Sequence, residues 1–210
     1  PRGTLATGPG FAYHARLPVS QVHNRPVMNI DAIPVGPNPP WDLNVIIEIP
    51  QGGLPVKYEM DKASGALFVD RFLHTAMYYP ANYGFVPHTL SADGDPCDVL
   101  VLNPTPVVPG CVIRSRPIGV LIMEDEKGMD EKILAVPVDA LHPYYTDVAS
   151  YRQLPAIMID QIQHFFTRYK DLEKNKETAV KRWGDAGEAA ELIAIGIRAH
   201  QDKLKADKKG

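Results

Sequence analysis

Three aspartates lie within six residues in the stretch SADGDPCDV, namely Asp93, Asp95 and Asp98. Gly94 can adopt backbone angles that other residues avoid, and Pro96 fixes its own φ, so we predict a stiff turn followed by a strand. Three carboxylates held this close repel one another and require a counterion. An isolated acidic turn can also simply face water, so its chemistry depends on the residues that join it in the fold.

Five more carboxylates interrupt segments that we predict as strands or tight turns, namely Glu48, Glu59, Asp70, Asp125 and Asp130. The same segments and a later helix supply the cations Lys57, Arg71, Lys132, Lys170 and Lys176. Eight carboxylates that converge on one cavity can ionise together only around cations. Oxygen ligands favour a hard ion such as Mg²⁺, with Mn²⁺ or another hard divalent ion as a substitute. A site that contains both acidic and basic side chains suits a polyanionic ligand that is bound through metal ions.

Several other phosphate-binding and hydrolytic motifs can be set aside. The aspartate-rich turn is not an EF-hand loop, because Pro96 occupies an interior position and the twelfth residue counted from Asp93 is Pro104. There is no GxxxxGK loop and no GxSxG turn, and Cys111 lacks the spacing of a phosphate-binding cysteine loop. Without a nucleophilic side chain, water must attack, and a metal ion lowers the pKa of its bound water from about 15.7 toward about 7.

The composition limits the classes of protein to which the chain can belong. The chain has 210 residues, of which 45% are hydrophobic and 22% charged, with a net charge of −3. This suits one domain with a real core, and it does not suit a protein that neutralises the phosphates of a nucleic acid. Two cysteines cannot form a disulfide framework, and no apolar run reaches the length of a membrane span. We therefore expect a cytoplasmic protein that binds neither nucleic acid nor membrane.

The first 27 residues show little apolar periodicity, and their opening PRG resembles what remains after a purification tag is cut. We expect residues 1–27 to be a tag-derived or disordered leader, with Met28 as the native start. Residues 28–210 then form a single domain, which begins with a proline-rich arm over residues 29–41.

Apolar runs and alternation predict six strands, at residues 43–49, 56–61, 65–73, 97–103, 112–123 and 132–138. In the third strand, Asp70 and Arg71 occupy opposite faces unless a bulge re-aims one of them. Residues 77–87 carry three tyrosines, two prolines and a glycine. This composition predicts a rigid aromatic loop whose hydroxyls can donate to an anion.

The pattern of apolar and capping residues in the last part of the chain predicts two helices. Apolar residues recur at spacings of three and four over residues 154–174, with Pro155 in the first turn. Asp185, followed three residues later by Glu188, marks the start of a second helix that continues toward Leu204. Strands followed by helices indicate an α+β fold in which the helices pack on a barrel-like sheet.

Six segments, in order, resemble one enzyme family. They are IEIP (47–50), VKYEMDKASGALFVDRF (56–72), YYPANYGFVPHT (78–89), DGDPCDVLV (93–101), MEDEKGMDEKILAVP (123–137) and HFFTRYKDLE (164–173). On these motifs, residues 43–176 resemble the soluble inorganic pyrophosphatases of the Mg²⁺-dependent bacterial type. The resemblance implies hydrolysis of pyrophosphate to two phosphates. It also implies a five-stranded closed OB-like barrel, with additional strands and two main helices packed on it, and assembly into homohexamers.

The resemblance also implies a role for each site residue. Asp95 would be the general base. Metal ions would be held by Asp93, Asp98, Asp130, Asp70, Asp125 and Glu48, of which the first three would bind the tightest ion. The two phosphates would be bound by Lys57, Arg71, Tyr83, Lys132, Tyr169 and Lys170. Glu59 and Tyr79 would support the site.

Two other functions remain compatible with the residues. A metal-dependent hydrolase of nucleoside triphosphates or other phosphate esters would need a pocket for a base or an alcohol, which the aromatic loop could supply. A barrel that binds single-stranded nucleic acid would use a positive groove, but strands carrying Glu48, Glu59 and Asp70 would repel phosphate in the absence of metal. The acids that we expect to be solvated are Glu126, Glu131 and Asp147, and the histidines that we expect to pack or to lie at interfaces are His88 and His164.

Overall fold

The computed structural model describes residues 29–126 and 128–208, so the expectations for residues 1–27 lie outside the described residues. The strands are β1 Leu43–Ile49, β2 Val56–Met60, β3 Leu67–Phe72, β4 Asn82–Phe85, β5 Asp98–Val101, β6 Val112–Asp125, β7 Gly128–Met129, β8 Lys132–Pro137 and β9 Thr178–Gly184. The two α-helices are α1 Ala156–Arg168 and α2 Ala186–Asp207. Short 3-10 helices occupy Ile30–Ala32, Pro143–Tyr145 and Tyr151–Gln153.

Five strands pair in a ring, in the order β1, β4, β5, β8, β6 and back to β1. These pairs are antiparallel except for β5 with β8, which run parallel. Strands β7 and β9 pair with β6 outside the ring, and β2 and β3 form a separate hairpin. The mixed sheet and its two helices confirm the predicted α+β class.

Strands β5 and β8 are buried on both faces because a helix covers each side of the sheet. Leu100 and Leu134 join the hydrophobic cluster that contains Phe165 of α1. Their neighbours Val99 and Ile133 point the other way and join the cluster that contains residues of α2. The first residues of both strands are therefore anchored in a packed core, and these are the positions that carry acidic and basic groups.

The predicted aromatic loop contains a strand. All four residues of β4 are buried, and the strand pairs with β1 on one side and β5 on the other. A Cβ at Gly84 would come within 1.9 Å of the carbonyl oxygen of Ile46, so only glycine lets the two backbones approach this closely. The loop prediction was wrong for these residues, because the glycine marks a close strand contact and not a turn.

Two further boundaries differ from the prediction. Strand β9 was not predicted, because it pairs with β6 alone and several of its side chains face water, which leaves little apolar alternation. The first helix ends at Arg168, with Tyr169 as its C-cap, and is shorter than predicted. The second begins as predicted, since the Asp185 carboxylate accepts a hydrogen bond of 2.9 Å from the Glu188 backbone N–H. Among the residues that the structure describes, no helix is long and apolar enough to cross a membrane.

Candidate active site

The eight carboxylates singled out in the sequence line a single cavity of about 260 Å³. They are Glu48, Glu59, Asp70, Asp93, Asp95, Asp98, Asp125 and Asp130. The cavity is also lined by Lys57, Arg71, Lys132, Lys170, Lys176, Tyr83 and Tyr169. The fold thus gathers charged groups that are spread along more than half of the chain, as the sequence predicted.

A bulge in the β2–β3 hairpin brings Asp70 and Arg71 to the same cavity. Lys57 pairs with Arg71 and the next residue, Tyr58, pairs with Val69, so Asp70 is the extra residue between them. Its carboxylate lies 3.1 Å from the Lys57 ammonium and 3.1 Å from the Arg71 guanidinium. The bulge overrides strand alternation, which would have placed Asp70 and Arg71 on opposite faces.

The parallel pair β5 and β8 places Lys132 directly opposite Asp98. The Lys132 ammonium donates hydrogen bonds to the carboxylates of Asp98 and Asp130. Burial disfavours its charge, yet the two carboxylates hold the pKa of Lys132 well above its ordinary value. Burial also raises the pKa of Asp130, although Lys132 counteracts it. This corner is a compact cluster of alternating charge, in which Lys132 and Asp130 are more buried than Asp98.

A second cluster joins the end of α1 to the end of β6. The Lys170 ammonium donates to Asp125 at 2.9 Å and to Glu126 at 3.1 Å. Glu126 also lies 4.0 Å from Lys176. The sequence predicted Glu126 to be solvated, and it is exposed, but its side chain also lines the cavity. Glu131 and Asp147 do not line it.

Glu173 is a residue that the sequence reasoning missed. Its buried carboxylate lies 3.2 Å from the Arg71 Nε and 3.5 Å from the Lys176 ammonium. It therefore lies behind two cavity cations. The available signal was its position in the segment HFFTRYKDLE, where an acid follows two residues assigned to phosphate binding.

Three buried tyrosines lie in the wall of the cavity or directly behind it. Tyr79 does not line it, but its ring lies 5.3 Å from that of Tyr83 and 4.7 Å from that of Phe165. The Tyr83 hydroxyl accepts a hydrogen bond of 3.4 Å from Lys132. Burial raises the pKa of Tyr79, Tyr83 and Tyr169, so all three stay protonated and can donate hydrogen bonds.

Glu48 and the aspartate-rich turn complete the cavity. Burial raises the pKa of Glu48 to about 7, although its carboxylate accepts a 2.7 Å hydrogen bond from the Met60 N–H. In the turn, the Asp93 carboxylate accepts from the Asp95 N–H at 3.0 Å, and Gly94 has a φ of +94°. The turn presents Asp95 to the cavity, where Lys62 lies 4.0 Å from its carboxylate.

The lining fits a hard divalent cation by the type of its donors, because carboxylate oxygens dominate it. Within residues 29–126 and 128–208, however, no three Asp, Glu, His or Cys side chains are grouped closely enough to hold an ion as they stand. Lysines bridge the acids instead, with Lys132 between Asp98 and Asp130 and Lys170 on Asp125. A metal ion would have to take over carboxylates that these lysines contact.

Comparison with known proteins identifies one family, both by a family model and by individual relatives. The model of the inorganic pyrophosphatase family matches residues 45–201. The inorganic pyrophosphatase of Caulobacter vibrioides is 65% identical over 175 residues, which cover 83% of this chain and 99% of the relative. That of Bradyrhizobium diazoefficiens is 59% identical over 176 residues, which cover 84% of this chain and 99% of the relative.

Solved structures show the same similarity. The crystal structure of an inorganic phosphatase from Anaplasma phagocytophilum matches with a TM-score of 0.79 and 54% identity, covering 80% of this chain and 99% of that one. Inorganic pyrophosphatase from Thermus thermophilus matches with a TM-score of 0.78 and 39% identity, covering 82% of this chain and 99% of that one. The region that the family model matches includes the whole lining of the cavity. The chain therefore belongs to the inorganic pyrophosphatase family of hydrolases.

Proposed function

We propose that the chain, an inorganic diphosphatase by family, splits pyrophosphate into two phosphates with a water molecule activated in the carboxylate cavity. The observation that carries the proposal is the convergence of nine carboxylates and six cations on one cavity, the eight acids singled out in the sequence among them. A cavity of this composition can neutralise a substrate that is phosphate throughout. Among the lining residues that the structure describes, charged side chains far outnumber the apolar and aromatic ones, which favours a phosphate substrate over a nucleoside.

Asp93, Asp98 and Asp130 would hold the first Mg²⁺, Asp70 would share a second with Asp98, and Asp125 and Glu48 would receive ions that enter with the substrate. Mn²⁺ or another hard divalent ion fits the same oxygens. When bound, these ions neutralise phosphate charge and make a coordinated water more acidic. The acids that would hold these ions come both from the β2–β3 hairpin and from the ring of strands with its connections.

Asp95 is the proposed general base. It lies in the aspartate-rich turn, and its side chain is about half exposed, so it can reach a water molecule in the cavity. In the reaction, the water oxygen forms a bond to one phosphorus while the bond from that phosphorus to the bridging oxygen breaks. Asp95 accepts a proton from the water, and the second phosphate leaves with the bridging oxygen.

The cations and tyrosines are the proposed phosphate ligands. They are Lys57, Arg71, Tyr83, Lys132, Tyr169 and Lys170, with Glu59 and Tyr79 as supports. Lysine and arginine stabilise the charge that builds up on the leaving phosphate, and they do so without covalent chemistry. Lys57 and Arg71 approach from the hairpin, and the other four approach from the sheet and α1, so the substrate would be held between two walls.

The larger-scale features of the proposal follow the family resemblance. The ring of five strands would correspond to a closed OB-like barrel within a single domain of residues 28–210, in a cytoplasmic enzyme. We also propose a homo-oligomer, in particular a hexamer. Support comes from the hairpin's exposed apolar side chains, among them Phe68 and Phe72, which an interface would cover. Light scattering of the purified chain tests the assembly, and a monomer at micromolar concentration would overturn it.

The activity is tested by measuring phosphate release from pyrophosphate with and without Mg²⁺, with ATP as the comparison substrate. Asp95→Asn should lower kcat by about 10²–10⁴-fold, because it removes the proton acceptor, and Mg²⁺ binding should change little. The exposed Asp147→Asn serves as the matched control and should retain full activity. Preferential hydrolysis of ATP, or unchanged kcat in Asp95→Asn, would overturn the proposal.

A further inference from the structure

A second cavity, of about 180 Å³, lies beside the catalytic cavity. Lys62, Phe85 and Pro96 line both cavities and form the partition between them. The other walls are the 3-10 helix Ile30–Ala32, the connection from β4 to β5 and the last turns of α2. None of the proposed metal or phosphate ligands lines this second cavity.

Two histidines from different elements lie next to each other in the second cavity, in an edge-to-face contact. The ring centroids of His88, on the β4–β5 connection, and His200, on α2, are 5.3 Å apart, and their planes meet at 68°. An imidazole nitrogen binds zinc at about 2.0–2.1 Å, which puts the ring centre roughly 3.2 Å from the ion and two such centres roughly 5 Å apart. The observed separation is therefore close to that of two histidines that share one ion.

The backbone holds His88 in an unusual conformation. Its φ is +56°, a left-handed region that residues other than glycine rarely adopt, and such residues persist only where the surroundings fix them. The next residue, Thr89, donates from its hydroxyl to the Val86 carbonyl at 2.7 Å and accepts from the Cys97 N–H at 2.9 Å. Leu90 then bonds through its N–H to the Gly196 carbonyl of α2 at 2.9 Å. The histidine pair thus stands on a framework that is already locked together.

The charges around the pair are compatible with a cation. Lys62 and Lys203 line the cavity, and Asp31 and Asp207 balance them. Burial lowers the pKa of His200, and His88 acts in the same direction. The neutral imidazole at pH 7 is the form that coordinates a metal ion.

We propose that His88 and His200 form an accessory site for a transition-metal ion such as Ni²⁺, Cu²⁺ or Zn²⁺. Imidazole nitrogen suits these ions, whereas Mg²⁺ prefers oxygen, so the two cavities would select different metals. With two protein ligands, water would complete the coordination. The ion would tie the β4–β5 connection, which leads into the aspartate-rich turn, to α2. This inference does not depend on the catalytic proposal.

The test is a calorimetric titration of the full chain with Ni²⁺, with the carboxylate cavity saturated by Mg²⁺ throughout. The variants are His88→Asn, chosen because asparagine tolerates a positive φ, and His200→Gln. His164→Gln, on the exposed side of α1, is the matched control. We expect each cavity variant to lose one equivalent of bound Ni²⁺ or to bind it at least tenfold more weakly, and the control to bind as the parent chain does.

Two further readouts keep the test decisive. Thermal unfolding in EDTA shows whether each variant folds like the parent chain, and hydrolysis in Mg²⁺ should be unchanged because neither histidine lines the catalytic cavity. Electron spin resonance of bound Cu²⁺ should show two imidazole nitrogens in the parent chain and fewer in either variant. Equal Ni²⁺ binding in the parent chain and both cavity variants, or no binding in the parent chain, would overturn the proposal and leave the histidines as a packing pair.

Discussion

The catalytic cavity has two walls that hold their charges differently. The ring wall is formed by the start of β5 and by the residues around the start of β8, where the side chains of Lys132, Asp130 and Asp98 are 4%, 11% and 24% exposed. The hairpin wall is formed by β2 and β3, where those of Lys57 and Glu59 are 26% and 56% exposed. Lys132 and Asp130 are therefore the most buried of these charges, whereas Asp98 is exposed to about the same extent as Lys57 on the hairpin.

The difference follows from what supports each wall. The ring strands lie between two helix-covered hydrophobic clusters, which fix the positions of their first residues. The hairpin is a separate two-stranded sheet whose outer side chains, such as Phe68 and Phe72, are exposed. We infer that charges on the ring wall contribute to folding stability as well as to the site, and that charges on the hairpin wall contribute chiefly to substrate affinity.

The largest stability effect should come from Lys132→Met. Without its ammonium, Asp98 and Asp130 would lie beside each other without a cation, which we expect to cost about 3–5 kcal/mol of unfolding free energy in EDTA. Urea denaturation measures this loss. Added Mg²⁺ should recover part of it, because an ion can replace the missing charge between the two acids.

The control for that experiment is Lys181→Met, which removes an exposed partner of Glu124 on the same sheet and should leave stability nearly unchanged. A Lys132→Met protein as stable as the control in EDTA would show that the ring wall does not depend on its buried ion pairs. The contrast between the two walls would then fail.

The corresponding change on the hairpin wall is Lys57→Met. We expect it to alter the unfolding free energy by less than about 1 kcal/mol, because its partners Asp70 and Glu59 can turn to water. It should raise KM for pyrophosphate roughly tenfold or more, since a charged hydrogen bond to the substrate is lost. A large stability loss with unchanged KM would reverse the assignment of the two walls.

A smaller kinetic effect should come from Glu173→Gln. The buried carboxylate holds the Arg71 guanidinium from behind, and it also contacts Lys176. The neutral variant should raise KM severalfold while kcat changes little, because both cations remain but are less firmly placed. Steady-state kinetics beside Glu177→Gln, an exposed neighbour, would separate this role from a general effect of lost charge. An identical KM in both variants would count against it.

The candidate site could be predicted from the sequence where charged residues lie within or at the ends of apolar strands. The aspartate-rich turn, the eight acids and their convergence could be predicted because charges planted in apolar strands have few alternatives to a shared cavity. The turn residues Gly94 and Pro96 also signal their own geometry.

What could not be predicted depends on contacts between distant segments. Gly84 belongs to a strand because the Ile46 carbonyl approaches it, and a sequence pattern does not show such an approach. The bulge at Asp70 arises from the register between β2 and β3, and Glu173 gains its role only because α1 ends beside Arg71. Each of these features needs the fold before it can be recognised.

The smallest effect should come from an ion pair outside the cavity, which tests whether burial sets the ranking. Arg182 of β9 donates two hydrogen bonds, of 2.8 and 2.6 Å, to Glu188 of α2, and these bonds lower the pKa of Glu188 below its ordinary value of 4.5. Because the folded-state pKa is depressed, the pair stabilises the protein above that value, and its contribution is lost as the pH falls through the folded pKa.

Glu188→Gln should therefore reduce stability slightly at pH 7, far less than Lys132→Met, since solvent screens the exposed pair. The difference from the parent chain should be smaller at about pH 3 than at pH 7, because the contribution declines as the pH falls below 4.5 toward the depressed pKa of Glu188. Urea titrations at the two pH values measure it, and a loss at pH 7 as large as that of Lys132→Met would show that geometry, not burial, governs these ion pairs.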